Sequence, residues 1–291
     1  MTPVDLGRIG AWGHLDTLTI PEARAYAARI EALGYGSLWV PETVGREPFT
    51  LLALLAGETS RLVLGTSIVN IWGRDAQAAR MGAKTLAEAT DGRFVLGLGV
   101  SHPHLAAKLR GHVFERPLTR MREYLAAYRA AIYRGPPDAG LEPPVLVAAL
   151  RERMTDLAAT DADGAFPYLV TPERVAWMRA RLDAAADGSR PILAVTQPVA
   201  FDGADSARAY LKPYLRTPTY HASWKLQGFT ADDWEAPGSD RLIAAMVATG
   251  SVADARARIE ALHAAGADHV AVIPIAPDGT DDHLPTLEAL A

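Results

Sequence analysis

The stretch that decides the fold runs from Arg61 to Val100 and reads RLVLGTSIVNIWGRDAQAARMGAKTLAEATDGRFVLGLGV. It contains, in order, an apolar run, a helical pattern, an Asp-Gly turn and a second apolar run, at residues 61–69, 75–89, 91–92 and 94–100. A strand, a crossover helix and a second strand in this order form a βαβ unit, in which the two strands lie parallel in one sheet. The stretch therefore predicts a parallel sheet covered by helices.

The same alternation continues on both sides of this unit. Eight apolar runs are separated by helical patterns, and we predict strands at residues 8–12, 37–40, 61–69, 94–100, 145–149, 165–170, 192–199 and 269–275. Eight strands with helices between them favour an α/β fold with one (β/α)8 TIM barrel as a single domain over residues 1–291. An open doubly wound sheet is the alternative, because periodicity does not show whether the sheet closes.

Residues 202–250 depart from this rhythm, since they are too long for one crossover. Aromatic side chains crowd into the segment, namely Tyr210, Tyr214, Tyr220, Trp224, Phe229 and Trp234. We expect an insertion near strand seven and its helix, folded as a lid over the barrel mouth, where aromatic surface could enclose an apolar substrate. A dimer contact or packing on the barrel side is the other interpretation.

Composition excludes several classes of protein. Hydrophobic residues make up 49% of the chain and charged residues 22%, as in an ordinary globular enzyme. A net charge of -5 argues against a nucleic-acid partner, and the absence of cysteine excludes disulfides and cysteine ligands or nucleophiles. The first residues lack a signal-peptide pattern, and no apolar run approaches a membrane span. We expect a cytoplasmic protein that acts on a small molecule, with no membrane partner.

In a TIM barrel the active site lies at the carboxyl ends of the strands, so the polar residues after each run are candidates. They are Trp12 and His14, Glu42, Ser67 to Arg74, Ser101, His102 and His104, Arg151 and Arg153, Tyr168, and Gln197. No lysine stands among them, which removes a Schiff-base aldolase. His102 and His104 resemble a metal pair, but the fifth and sixth strands offer no further ligands, so a metal-dependent hydrolase is a distant alternative and we predict no metal.

Two short motifs are ambiguous when read alone. Gly97 and Gly99 could let backbone approach a flat ligand, or they could form a layer of small residues inside the barrel. Ala148, Ala149, Leu150 and Arg151 lead into a predicted helix N-terminus, where free amides and the helix dipole favour a phosphate. Arg151 or Arg153 could add positive charge there, or both could be ordinary surface arginines.

The order of these motifs resembles the bacterial luciferase-like flavin and deazaflavin oxidoreductases, and most closely the branch that uses coenzyme F420. The resemblance covers nearly the whole chain and rests on residues 32–42, 64–68, 91–99, 114–120, 148–151, 162–164, 250 and 266–268.

The resemblance implies specific roles. Ser67 and Ile68 match the place of a non-prolyl cis peptide that supports the deazaflavin ring, Glu42 matches an acidic residue near the cofactor, and Gly99 matches a backbone contact to the ring. His102 stands where some sugar-phosphate-oxidising members carry a glutamate proton donor, whereas Thr43 replaces their histidine. Leu150 and Arg151 match phosphate-binding amides. The other cofactor-binding residues that we predict are Trp12, Asn70, Val100, Ser101 and Ala149.

The resemblance thus implies hydride transfer between deazaflavin C5 of F420 and an unsaturated or carbonyl compound, with His102 or His14 moving the proton and Glu42 beside them. An FMN-dependent monooxygenase is the alternative, since both cofactors suit the same barrel mouth. Arginines at the rim, Arg46, Arg74 and Arg151, favour the acidic tail of F420. The resemblance also implies a homodimer, and it leaves the substrate and the direction of reaction open.

Overall fold

The computed structural model describes residues 4–136, 141–201, 203–276 and 283–291. Asp202, with which the predicted insertion begins, lies outside the described residues, as does part of the proline-rich segment before the fifth predicted strand. Within the described ranges, no helix is both long and apolar enough to cross a membrane.

The strands form one parallel sheet that closes on itself. Their bounds are β1 Ile9–Trp12, β2 Ser37–Val40, β3 Val63–Thr66, β4 Val69–Asn70, β5 Phe94–Gly99, β6 Val145–Val147, β7 Gly164–Ala165, β8 Ile192–Ala200, β9 Ala248–Thr249 and β10 His269–Pro274. The order is β10-β1-β2-β3-β5-β6-β7-β8, and β8 pairs in turn with β10. Closure confirms the predicted eight-stranded barrel and rules out the open sheet, while β4 and β9 pair only with β5 and β8, respectively.

Helices separate the strands along the chain. Their bounds are α1 Ile20–Ala32, α2 Pro48–Ala56, α3 Ala76–Ala89, α4 Pro117–Ala130, α5 Glu152–Thr160, α6 Pro172–Ala185, α7 Ala204–Leu211, α8 Pro218–Lys225, α9 Ala231–Trp234, α10 Asp240–Met246, α11 Val252–Ala264 and α12 Leu284–Leu290. A π-helix spans Leu105–Leu109 and a 3₁₀-helix spans Tyr214–Arg216. Between β8 and β9 the chain therefore folds as α7 to α10 and the 3₁₀-helix.

Local sequence signals explain where several helices start. The Ser251 hydroxyl accepts from the Asp254 amide and the Asp254 carboxylate accepts from the Ser251 amide, so the predicted capping pair forms at the start of α11. Thr171 caps α6 in front of Pro172, as its sequence also predicts.

Two strands differ from the sequence prediction. The third apolar run splits into β3 and β4, because the chain bends at the Ser67–Ile68 peptide, which is cis. The sixth run forms only the short β7, since Pro167 has no amide hydrogen to continue the ladder and Leu169 adopts a positive φ of 56°. Beyond it, Tyr168 makes a single parallel bridge to Thr196 of β8.

Large side chains fill the inside of the barrel. Trp39 is fully buried there and packs against Phe166, with ring centroids 4.6 Å apart. Gly65 makes room for Trp39, because a Cβ atom at Gly65 would lie 2.4 Å from the indole ring. The barrel is thus a packed core rather than a pore, and its open surface lies at the strand ends.

His269 at the start of β10 joins three parts of this core. Its Nδ1 donates to the Gly7 carbonyl at 2.7 Å, and its Nε2 accepts from Trp39 Nε1 at 2.9 Å and from the Ser37 hydroxyl at 3.0 Å. Burial lowers the pKa of His269 from 6.5 to about 4, so the imidazole is neutral near neutral pH.

Acid is expected to destabilise the fold through His269. As the pH falls below 6.5 the unfolded chain binds the proton first, because the folded pKa is about 4, so stability is lost between these two values. Between pH 7.5 and pH 5 this loss amounts to about 2 kcal/mol of unfolding free energy. Urea denaturation at both pH values measures it. The His269→Asn variant is expected to lose this part of the pH dependence, whereas the exposed-site control His104→Gln keeps it, and equal slopes in all three proteins would contradict the assignment.

Candidate functional site

A cavity of about 390 Å³ lies at the carboxyl ends of the barrel strands. It is lined by every residue that the sequence predicts for cofactor binding, namely Trp12, Glu42, Ser67, Ile68, Asn70, Gly99, Val100, Ser101, Ala149, Leu150 and Arg151. His102, the first predicted proton-transfer residue, also lines it. The closed barrel brings these residues together because they follow five different strands that end at one rim.

The floor of the cavity is formed where β3 and β5 approach each other. The Thr66 hydroxyl accepts from the Gly97 amide at 2.8 Å and donates to the Gly97 carbonyl at 2.9 Å. A Cβ atom at Gly97 would lie 2.0 Å from the Thr66 carbonyl oxygen, and one at Gly99 would lie 2.1 Å from Ile68 Cδ1. Gly97 therefore permits the close approach of β3 and β5, whereas Gly99 both admits Ile68 and lines the cavity.

The Ser67–Ile68 peptide at this floor is cis, which confirms the expectation drawn from the resemblance. Trp12 Nε1 donates to the Ser67 hydroxyl at 3.1 Å, so this bond joins the ends of β1 and β3. The Ile68 side chain is partly buried and lines the cavity. The floor thus combines an apolar surface with fixed backbone groups.

Glu42 holds the neighbouring loops in place. Its Oε1 lies 2.7 Å from an Arg74 nitrogen and 3.5 Å from an Arg110 nitrogen, and its Oε2 accepts from the Asn70 backbone amide at 2.7 Å and from the Asn70 side chain. The Glu42 side chain is only 6% exposed. Because both carboxylate oxygens already have partners, this geometry suits Glu42 to positioning Asn70 better than to exchanging a proton with a substrate.

His102 lines the cavity without such partners. Its Nδ1 is buried and has no hydrogen-bond partner among the described residues. Burial, and secondarily the nearby His104, lower the pKa of His102 below its ordinary 6.5. The two histidine rings stack at 5.9 Å, and the Tyr220 ring lies 5.6 Å from His102. A neutral imidazole with an unused nitrogen can accept a proton at neutral pH and return it.

Arg151 stands at the start of α5, on the edge of the same cavity. It is the N-cap residue of that helix, and its exposed guanidinium has no carboxylate or carbonyl partner among the described residues. The first amides of a helix are also free of intrahelical partners. Together these groups form a place where a phosphate can bind, as the sequence predicts.

The structure does not bring the second predicted proton-transfer residue to the cavity. His14 is absent from the lining, and its Nε2 lies 3.5 Å from Asp16 Oδ2. The three predicted rim arginines do not lie together at the cavity either. Arg46 donates to the Leu15 and Leu18 carbonyls and Arg74 pairs with Glu42 and Glu47, so of the three only Arg151 lines the cavity.

Four tyrosines form one part of the cavity lining, which we name the tyrosine wall: Tyr168, Tyr210, Tyr214 and Tyr220. The sequence marks Tyr168 as a strand-end residue and the other three only as part of an aromatic-rich segment. Tyr168 and Tyr214 pack edge to face with centroids 5.4 Å apart, and Tyr214 and Tyr220 do so at 5.2 Å. In contrast, Trp224, Phe229 and Gln197 do not line the cavity. Trp224 and Phe229 are buried behind the wall, and the buried side chain of Gln197 donates hydrogen bonds to backbone carbonyls.

The remaining lining residues escape sequence reasoning because they carry no chemical signal of their own. They are Leu105, Met154, Phe166, Thr196, Thr219 and Ile273, whereas Ala148, which also lines the cavity, belongs to the predicted phosphate-binding turn. Within the described part of the chain, no three side chains of the histidine, aspartate or glutamate type converge to hold a metal ion.

Comparisons with solved structures agree with this architecture. An F420-dependent secondary alcohol dehydrogenase, in complex with an F420-acetone adduct, superposes with a TM-score of 0.74 at 15% identity and covers 98% of this chain and 99% of its own. The FMN complex of the oxygenating constituent of 3,6-diketocamphane monooxygenase, from Pseudomonas putida, superposes with a TM-score of 0.72 at 18% identity, covering 97% and 96%. At these identities the likeness concerns the fold.

Two curated relatives come from Mycobacterium tuberculosis. A protein named "Putative coenzyme F420-dependent oxidoreductase" is 29% identical over 245 residues, which are 72% of this chain and 70% of the relative. A phthiodiolone/phenolphthiodiolone dimycocerosates ketoreductase is 29% identical over 290 residues, covering 92% and 69%. The family model for luciferase-like monooxygenases matches residues 3–269. With nearly the whole barrel inside that match, this chain is an oxidoreductase that belongs to the luciferase-like monooxygenase family.

Proposed function

We propose that this protein is a coenzyme F420-dependent oxidoreductase that interconverts a small carbonyl or unsaturated compound and its reduced form. The observation that carries the proposal is the state of His102. It lines the cavity beside the predicted cofactor-binding residues, and its buried Nδ1 has no partner among the described residues. A hydride transfer to or from carbon must be balanced by a proton, and His102 is placed to move one.

The residues around the cavity suit a deazaflavin. When bound, F420 supplies or accepts a hydride at C5 of its ring, while the protein contributes alignment and electrostatics. Ile68 and the side-chain-free Gly99 offer a flat apolar surface to a ring, and Arg151 with the first amides of α5 offers a positive site to a phosphate. Glu42 keeps Asn70 in place through both of its oxygens.

A neutral His102 suits the interconversion of an alcohol and a carbonyl compound, which releases or takes up one proton besides the hydride. In the oxidative direction His102 would accept the hydroxyl proton of the alcohol, while a bound cofactor would supply the acceptor for the hydride. In the reductive direction protonated His102 would return that proton to the carbonyl oxygen. Because burial lowers the pKa of His102, the imidazole is ready to accept a proton at neutral pH.

Among the comparisons, the curated relative named for F420 and the F420-dependent alcohol dehydrogenase both support this cofactor. The second candidate is an FMN-dependent monooxygenase. It is favoured by the family description and by the fold neighbour that holds FMN.

Cofactor choice is tested by titrating the purified protein with F420 and with FMN in parallel and following fluorescence quenching. We expect F420 to bind at least tenfold more tightly than FMN. The Arg151→Gln variant is expected to bind F420 about tenfold more weakly, because a charge-assisted hydrogen bond to phosphate is lost. The neighbouring Arg153→Gln is the matched control, since Arg153 is exposed and does not line the cavity, and it should change the affinity less than twofold. Tighter binding of FMN would move the assignment to the monooxygenase.

The role of His102 is tested by the pH dependence of alcohol oxidation with F420. We expect kcat/KM to rise with pH through a pKa below 6.5 and to level off near neutral pH, because only the neutral imidazole accepts a proton. The His102→Leu variant is expected to lose about 10²- to 10⁴-fold in kcat/KM together with this limb of the profile.

His104→Gln is the matched variant for the His102 experiment. His104 lowers the pKa of His102, so its removal should keep the limb and move it to higher pH. A limb that persists in His102→Leu would show that another group carries the proton.

A further inference from the structure

The tyrosine wall gives the cavity an uncharged side. The charged residues that line the cavity, Glu42 and Arg151, lie after β2 and at the start of α5, whereas the wall consists of Tyr168, Tyr210, Tyr214 and Tyr220. The edge-to-face packing of these rings exposes both ring edges and ring faces, which suit planar unsaturated groups. A charged substrate group would find no counter-ion along this wall.

Three hydroxyl groups of the tyrosine wall carry one more proton than they use in hydrogen bonds to each other. Tyr168 and Tyr210 are hydrogen-bonded to each other through their hydroxyls, and the Tyr210 hydroxyl is also hydrogen-bonded to Tyr214. Each of the three phenols brings one proton, and the two bonds between them use two of the three. One proton at an end of this row, on Tyr168 or on Tyr214, is therefore left over. That O–H group can be satisfied by a molecule in the cavity.

The hydroxyls of Tyr168 and Tyr210 stay protonated in the working pH range. Burial raises the pKa of Tyr168 and of Tyr210 well above the ordinary value of 10. These two members of the row contribute no negative charge, and the natural complement of the free O–H group of the row is a neutral acceptor oxygen.

The volume of the cavity limits the size of the molecule that can bind beside the tyrosine wall. About 390 Å³ is near the lower end of the roughly 300–1,000 Å³ that ligand pockets span. Under the proposed function this space is shared between a deazaflavin ring and the substrate, so the substrate itself must be small.

We infer that the hydroxyl row of Tyr168, Tyr210 and Tyr214 is the specificity-determining subsite for a carbonyl oxygen, and that the substrate is a small, uncharged, planar ketone or aldehyde or the matching alcohol. The inference rests on the proposed function, since it names the substrate class of the same cavity. It assigns binding of the oxygen to the tyrosine row and leaves the proton transfer to His102.

The test compares two probes of one shape, 1-indanone and indane, which differ by the carbonyl group. Dissociation constants are measured by calorimetry on the full chain, with and without F420. We expect the ketone to bind about five- to tenfold more tightly than the hydrocarbon, the gain of one net hydrogen bond. The Tyr168→Phe/Tyr210→Phe/Tyr214→Phe triple variant is expected to bring this ratio close to one while leaving the affinity for indane within twofold. Each single variant retains two hydroxyls and should lose less.

Tyr133→Phe is the control for the loss of a phenol hydroxyl, because Tyr133 does not line the cavity, and it should keep the full ketone preference. His102→Leu is expected to keep that preference too. If the preference disappears in His102→Leu and survives in the triple variant, the imidazole holds the oxygen and the inference is overturned. Equal binding of the two probes, or binding of neither, overturns it as well.

The same titrations separate the two proposals. Binding of F420 with equal affinity for ketone and hydrocarbon would leave the cofactor assignment intact and reject the tyrosine subsite. Failure to bind F420, with a ketone preference that the triple variant abolishes, would support the subsite and reject the cofactor.

Discussion

The pair of hydrogen bonds between the Thr66 hydroxyl and the backbone of Gly97 is the contact on which the site depends. It replaces a regular ladder between β3 and β5 at the point where the two strands part. Only a residue without a side chain fits there, because a Cβ atom at Gly97 would lie 2.0 Å from the Thr66 carbonyl oxygen. Immediately beyond this contact the chain passes through Ser67 and Ile68 into β4, and the floor of the cavity is formed.

Charge is distributed unevenly around this floor. The Glu42 carboxylate is held by Arg74, Arg110 and Asn70, and it fixes the loops after β2 and β4 without leaving an oxygen unbound. Arg151 lies at the start of α5 with no acidic partner among the described residues. The tyrosine wall carries no charge. The cavity therefore has a polar region suited to an anionic cofactor and a neutral region suited to an uncharged reactant.

The parts of this arrangement that follow the strands could be predicted from the sequence. Strand periodicity fixes which residues reach the rim, so Trp12, Glu42, Asn70 and Gly99 can be placed before the structure is known. His14 also follows a strand, yet its side chain lies beside Asp16 and does not line the cavity. Strand periodicity does not encode such a local side-chain contact. Tyr210, Tyr214 and Tyr220 lie on helical segments between β8 and β9. These segments do not follow the alternation of strand and helix, so the sequence pattern does not place them at the rim. The homodimer and the compartment stay predictions.

Closure of the barrel also has a consequence for how the chain is made. The sheet closes where Ile9 of β1 pairs with Val270 of β10, so one edge of β1 lacks its neighbour until the last strand has left the ribosome. At about 5–20 residues per second, synthesis of the intervening chain takes roughly 10–50 s. During that time an apolar strand edge is open to other chains, and contacts this distant in sequence form slowly. The nascent protein is therefore expected to need protection from aggregation until its C-terminal strand is in place.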